Sequence, residues 1–206
     1  MIATVLFDMN DVLCRYDRAK RIGALARVCD RTPAFVEAAI FASGFEDSGD
    51  AGALDADAYL AGFGERLSFP LTRAQWAAAL ADAITPLAPA LALAERVARE
   101  AEVAVLTNNN LLVRAEIDAL FPELRPIFAD KIFVSAEFAA RKPDPEAYIR
   151  CLARLGAAAQ ATLFVDDSAK NVAGAEQAGL ETHLYRGVDG LTEALRREGL
   201  LSAHCS

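Results

Sequence analysis

The chain has 206 residues, enough for one well-buried core that carries a smaller inserted unit. Lysine and arginine number 21 against 29 aspartates and glutamates, and the resulting net charge of −8 offers no electrostatic footprint for a nucleic-acid backbone or an anionic membrane. Nucleic-acid and membrane partners are therefore not expected, whereas a local basic site for one small anion is compatible with an acidic surface.

The run IATVLF at 2–7 has no basic leader before it and no small-residue cleavage site after it, so a cytoplasmic location is expected. Its continuous apolar character reads as a strand buried on both faces, and it ends at Asp8. Residues 15–87 then show no convincing strand and several helical signals. Thr32 with Pro33 opens one helix, and Thr72 with Gln75 forms a capping box for another. The glycine-rich segment SGFEDSGDAG at 43–52 reads as a flexible loop. A helical pattern at 90–100 leads to a second strand, VAVL at 103–106, which ends at Thr107. Region 84–106 is the longest mildly apolar stretch, but Glu95, Arg96, Arg99, Glu100 and Glu102 interrupt it, so it is no membrane span. A helix at 111–120 and a weaker strand at 131–135 follow. The helix at 145–155 is the best marked, with Asp144 as N-cap, Pro145 at its first position and Gly156 just past its end. ATLFV at 161–165 is a third strong strand, ending at Asp166, before a helix at 169–178 and a weak strand at 182–185.

Strands alternating with helices predict an α/β fold with a doubly wound parallel sheet, whose ligands sit beyond the carboxyl ends of the strands. We expect a core of 1–14 and 88–206 and an inserted helical cap of 15–87. Cys14, Cys29, Cys151 and Cys205 lack zinc or disulfide spacing and read as free thiols.

Asp8 in FDMNDVL, Thr107 and Asn108 in VLTNNN, Lys142 before Pro143, and Asp166 with Asp167 in FVDDSAKN stand at or after strand ends, apart from the lysine. Taken singly, a strand-end Asp is commonly a turn or helix cap, and a Lys before Pro is usually solvated. Their order is more specific. With Asn171, Gly174 and Gly179 in DDSAKNVAGAEQAG at 166–179, the chain resembles the haloacid dehalogenase superfamily of hydrolases, and its phosphatase branch in particular, along essentially its whole length. FDMNDVL, LTNNN and RKPDPEAY look most similar to bacterial enzymes acting on sugar phosphates of the glucose 1-phosphate type.

The resemblance implies a Rossmann-like core, a small phosphorylated metabolite as substrate and Mg²⁺ as cofactor. Asp8 would be the nucleophile that forms an acyl phosphate. Asp8, Asp166 and the backbone carbonyl of Asn10 would hold the metal, with Asp167 and Asn171 orienting its waters. The Thr107 hydroxyl and the Asn108 N–H would hold phosphate oxygens beside the charge of Lys142. The phosphatase branch usually has a second aspartate two residues after the nucleophile, and Asn10 stands there, followed by Asp11. An amide has no proton to exchange at ordinary pH, so Asn10 cannot serve as general acid and base.

Two rivals follow. Dehalogenating relatives need no metal and tolerate a residue other than Asp at the second position, but paired Asp166 and Asp167 beside an anionic substrate call for a cation. Alternatively, the chain binds phosphate esters as a regulatory protein with attenuated catalysis. Arg15, Tyr16, Arg21, Phe45, Glu46 and Trp76 are candidates for a cap-side pocket, although core packing or solvation is the preferred reading of each. The oligomeric state is not legible.

Overall fold

The computed structural model describes residues 1–201, which leaves Cys205 outside the described residues. The chain begins with β1 (Thr4–Phe7) and β2 (Cys14–Tyr16), then runs through α1 (Arg18–Cys29), α2 (Pro33–Val36), a π turn at Glu37–Phe41, α3 (Phe45–Asp50), α4 (Ala56–Leu67) and α5 (Arg73–Ala81). After β3 (Ile84–Pro86) come α6 (Ala88–Val97), β4 (Glu102–Thr107), α7 (Leu111–Leu120), α8 (Leu124–Phe128), β5 (Ile132–Val134) and α9 (Pro145–Leu155). The chain continues with β6 (Thr162–Asp166), α10 (Ala169–Gln177), β7 (Glu181–Leu184) and α11 (Val188–Arg197).

Five strands form a parallel sheet in the order β5-β4-β1-β6-β7, with Val5 in register with Val103 on one side and Leu163 on the other. β1 lies at the centre with every residue buried, which is why its sequence shows no polar alternation. Its side chains still alternate between two cores. Val5 and Phe7 pack into the larger one, which includes Val113 of α7, Phe128 of α8 and Leu191 of α11. Leu6 enters the smaller one with Tyr148 and Cys151 of α9 and Ala175 of α10. Helices on both faces of a parallel sheet make this the doubly wound, Rossmann-like α/β architecture.

The expected caps are present: Thr32 accepts from the Phe35 N–H, Thr72 and Gln75 form a capping box, and Asp144 accepts from the Glu146 N–H. Gly156 ends α9 in the left-handed region at φ 70°. Among the described residues no helix is long and apolar enough to cross a membrane. Cys14, Cys29 and Cys151 are buried free thiols.

Two expectations need correction. Residues 15–87 were expected to hold no strand, yet β2 and β3 form an antiparallel pair that closes the base of the helical excursion, with Arg15 opposite Thr85. Each has three residues, too few to display a period, and their ladder partners lie across the excursion rather than in the main sheet. The segment 43–52 is also no flexible loop, since it contains α3. The Ser43 hydroxyl accepts from the Phe45 N–H at 3.3 Å, and the Phe45 ring stacks on Tyr59 with centroids 5.0 Å apart. Its glycines serve close packing. A Cβ on Gly49 would collide with the Tyr59 ring, and one on Gly52 with the backbone carbonyl of Ala136.

Candidate active site

The carboxyl ends of β1, β4 and β6 place Asp8, Thr107 and Asp166 side by side, because neighbouring parallel strands end at the same edge. All three are buried. Lys142 approaches from the loop before α9, and its Nζ lies 2.8 Å from Asp8 Oδ1 and 2.7 Å from Asp166 Oδ2. A buried ammonium shared by two carboxylates is compensated, and those two partners outweigh burial to hold Lys142 above its ordinary pKa.

Two devices position the lysine. The Asn108 side chain accepts from the Lys142 backbone N–H and donates to its carbonyl, both at 2.8 Å, so one amide clamps both polar groups of that residue. Gly174 of α10 lies against the carbonyl of Pro143, where a side-chain carbon would not fit. The Lys142–Pro143 peptide is cis.

Asp166 is saturated: it accepts from the Ser168 N–H at 2.8 Å, from Asn171 Nδ2 at 3.0 and 3.1 Å, and from Lys142. Asn171 thus touches the carboxylate itself, and its own carbonyl accepts from the Tyr148 hydroxyl at 2.7 Å. Asp167 is half-buried, and oxygens of Asp8, Asp166 and Asp167 lie within 4.8 Å of one another. Burial is the main influence that pushes the Asp8 carboxyl up to about 6, with Lys142 opposing and Asp166 adding to it; burial and then Asp166 also push Asp167 upward. Three crowded carboxylates against one lysine leave surplus negative charge, and an all-oxygen donor set of this kind fits a hard divalent cation such as Mg²⁺.

The remaining sequence candidates separate. Asn10 lines a cavity of about 140 Å³ at the edge of this cluster, together with Asn108, Asn109, Tyr16, Arg21, Glu46 and Asp50. Asp11 stands at φ 58°, exposed, with its carboxylate accepting from the Tyr16 N–H at 3.4 Å, and it does not line the cavity. Core packing holds for Phe45 and Trp76, which are buried, and solvation for Arg15, which is exposed. It does not hold for Tyr16, Arg21 and Glu46, which form part of the cavity wall.

Three further residues carry no local sequence signal. The Asn109 side chain donates to the Thr107 hydroxyl at 2.9 Å, and its backbone N–H donates to the Ser135 hydroxyl at 3.1 Å. Ser135 in turn donates to the backbone carbonyl of Asp50 at 2.7 Å, tying α3 to the loop after β4. Asp50 itself sits in the cavity wall.

Comparison with known proteins adds the lineage. A phosphatase of Mycobacterium tuberculosis is 41% identical over 96 residues, which are 47% of this chain and 43% of that protein. This chain therefore spans less than half the length of that relative. Among solved structures, a HAD-like hydrolase from Porphyromonas gingivalis superimposes with a TM-score of 0.79 at 23% identity, covering 95% of this chain and 98% of the other. A HAD family enzyme from Bacteroides thetaiotaomicron, in complex with magnesium and inorganic phosphate, gives 0.75 at 22% identity over 89% and 93%. A 2-haloacid dehalogenase from Pseudomonas syringae gives 0.67 at 21% over 96% and 100%, so these likenesses establish the fold alone. The model of the haloacid dehalogenase-like hydrolases matches residues 2–179, and this chain belongs to that family.

Proposed function

We propose that the chain is a magnesium-dependent phosphatase of small phosphorylated metabolites, acting through a phosphoryl group carried on Asp8, with 15–87 as a helical cap over a core of 1–14 and 88–206. The observation that carries this reading is the buried Asp8–Lys142–Asp166 bridge with Asp167 crowded against it. Asp8, Asp166 and the carbonyl of Asn10 would hold Mg²⁺, with Asp167 orienting its waters, and the ion when bound would neutralise charge on the transferring phosphoryl oxygens. Asp8 supplies the attacking oxygen. The Thr107 hydroxyl, the Asn108 N–H and Lys142 hold the equatorial oxygens, while Asn171 fixes the Asp166 carboxylate. The phosphatase relative supports the reading, as does the magnesium and phosphate complex of the Bacteroides enzyme.

A screen of phosphorylated metabolites tests it. Phosphate release over many cycles is expected with magnesium and is abolished by chelator. Metal-independent release of halide from 2-haloacids would instead establish the dehalogenase chemistry of structural neighbours, and tight binding without turnover would establish a regulatory protein.

Asn10 shapes the substrate range. Its amide lines the cavity, 3.6 Å from the Cys14 sulfur, and stands two residues after Asp8, where the phosphatase branch usually has the aspartate that would assist the leaving oxygen. Without that proton, substrates whose leaving oxygen is a weak base, such as sugar 1-phosphates or acyl phosphates, turn over faster than alkyl phosphates. Asn10→Asp is expected to raise alkyl-phosphate turnover about tenfold or more relative to sugar 1-phosphate turnover, a fraction of the ~10²–10⁴ that general acid–base assistance supplies. An unchanged ratio at unchanged magnesium affinity would place the acid–base group elsewhere.

A further inference from the structure

The cavity lined by Met9, Asn10 and Asn108, the chain neighbours of Asp8 and Thr107, has a charge pattern that bears on what a substrate would carry beyond its phosphate. Among the described residues Arg21 is the one cation in its wall, and both of its terminal nitrogens are engaged, while its buried Nε has no partner. Its two terminal nitrogens meet both oxygens of Glu46 at 2.9 and 3.2 Å, and one of them also donates to the Tyr16 hydroxyl at 3.3 Å. Glu46 receives a further hydrogen bond from the Tyr59 hydroxyl. Arg141, which lies near α3, is paired with Asp47 at 2.6 Å. Asp50 is different. It lines the cavity, and its carboxylate receives no hydrogen bond from any described residue, although its backbone carbonyl is anchored by Ser135. Burial, and then the charge of Glu46, push this carboxyl up to about 7, in keeping with an acceptor that lacks a donor. Opposite these groups the wall is apolar, formed by Leu80, Ile84, Val113 and Ile117.

A leaving group bearing a second anion would find no free cation here and would face Glu46 and Asp50. A neutral leaving group with a hydroxyl would find an open acceptor in the Asp50 carboxylate, and another in the Asn109 side-chain oxygen, while its carbons rest on the apolar wall. We propose that the cavity selects an uncharged, hydroxyl-bearing leaving group of a few carbons, that Asp50 accepts a hydrogen bond from it, and that Asp50 with Glu46 rejects carboxylated or doubly phosphorylated substrates. The proposal rests on the phosphatase reading for its turnover assay, and on the cavity alone for its binding assay. Arg21 is a positioning residue that holds Glu46 and so fixes this wall.

The test compares glycerol 3-phosphate with 2-phosphoglycolate, two alkyl phosphates of similar length that differ in a neutral diol against a carboxylate. Both are assayed with magnesium beside acetyl phosphate, whose leaving part carries neither feature. At about pH 8 or above, where an Asp50 carboxyl raised to about 7 is ionised, wild-type kcat/KM is expected to favour glycerol 3-phosphate by at least about 10²-fold, since a like charge is repelled and a half-buried acceptor is left unpaired. Asp50→Asn is expected to narrow that ratio about tenfold, by improving phosphoglycolate and weakening glycerol phosphate. Equal or reversed wild-type preference overturns the proposal, as does an unchanged ratio in an Asp50→Asn protein that melts like the wild type. If Asp50→Asn does not fold, the wild-type ratio decides. If none of the three esters is hydrolysed, the phosphatase reading fails. Thermal stabilisation of the magnesium-loaded wild type by each ester then decides the cavity: preferential stabilisation by glycerol phosphate upholds it, and equal stabilisation overturns it.

Discussion

Asp8→Asn is expected to lower phosphate release by at least about 10³-fold while leaving the fold intact, because an amide oxygen is a poor nucleophile and removal of a nucleophile disables the whole site. The fold should survive for a reason visible in the geometry. Lys142 keeps its 2.7 Å contact with Asp166, and asparagine matches aspartate in shape. The pH dependence has a definite sign. Burial raises the Asp8 carboxyl to about 6 in the metal-free protein, so the folded chain holds that proton more tightly than the unfolded chain does. Stability from this group is gained as pH falls below about 6 and lost as pH rises through that value. In chelator at pH 7–8, Asp8→Asn should therefore melt at or above the wild-type temperature. A variant that loses activity only because it unfolds would contradict the role assigned to Asp8.

Lys142→Ala is expected to have the largest effect on stability. It leaves Asp8 and Asp166 buried without their shared counter-ion, and removing one partner from a buried ion pair typically costs about 3–5 kcal/mol. The neighbouring Asn171 and Ser168 donors hold Asp166 but bring no charge, so they do not replace the ammonium. Added magnesium should recover more melting temperature in this variant than in the wild type, because a cation bound only by the folded state offsets the missing charge. Turnover should remain at least about 10²-fold low even with saturating magnesium, since the proposed mechanism also gives Lys142 the charge of the phosphoryl oxygens to stabilise. Equal magnesium shifts in the two proteins, measured by thermal unfolding, would mean that the metal and the lysine do not share these carboxylates.

How much of this was readable in the sequence depended on whether each interaction is local. Asp8, Thr107 and Asp166 each follow a continuous apolar run, and parallel pairing then brings the run ends together, so their proximity follows from chain-local patterns. Lys142 is not at a strand end. Its place comes from the Asn108 clamp across 34 residues and from the glycine at 174, neither of which has a local signature. The cap was harder. β2 and β3 are too short to show alternation, and the glycines at 49 and 52 look like loop residues until Tyr59 and Ala136 are seen against them. Asn109, Ser135 and Asp50 went unnoticed because each acts through a partner distant in sequence or through open cavity space. The partly buried Arg21–Glu46 pair has no sequence signature, since a lone arginine and glutamate 25 residues apart give no hint that they pair.

The account depends most on a phosphoryl group being carried by Asp8. Acid quenching of wild-type protein during turnover of acetyl phosphate with magnesium, followed by peptide mass spectrometry, measures this directly. The peptide containing Asp8 is expected to carry one added phosphoryl group, to lose it on a chase without substrate, and to carry none in Asp8→Asn or in chelator. Steady phosphate release with no phosphoryl group on that peptide, or with one on another residue, would contradict it.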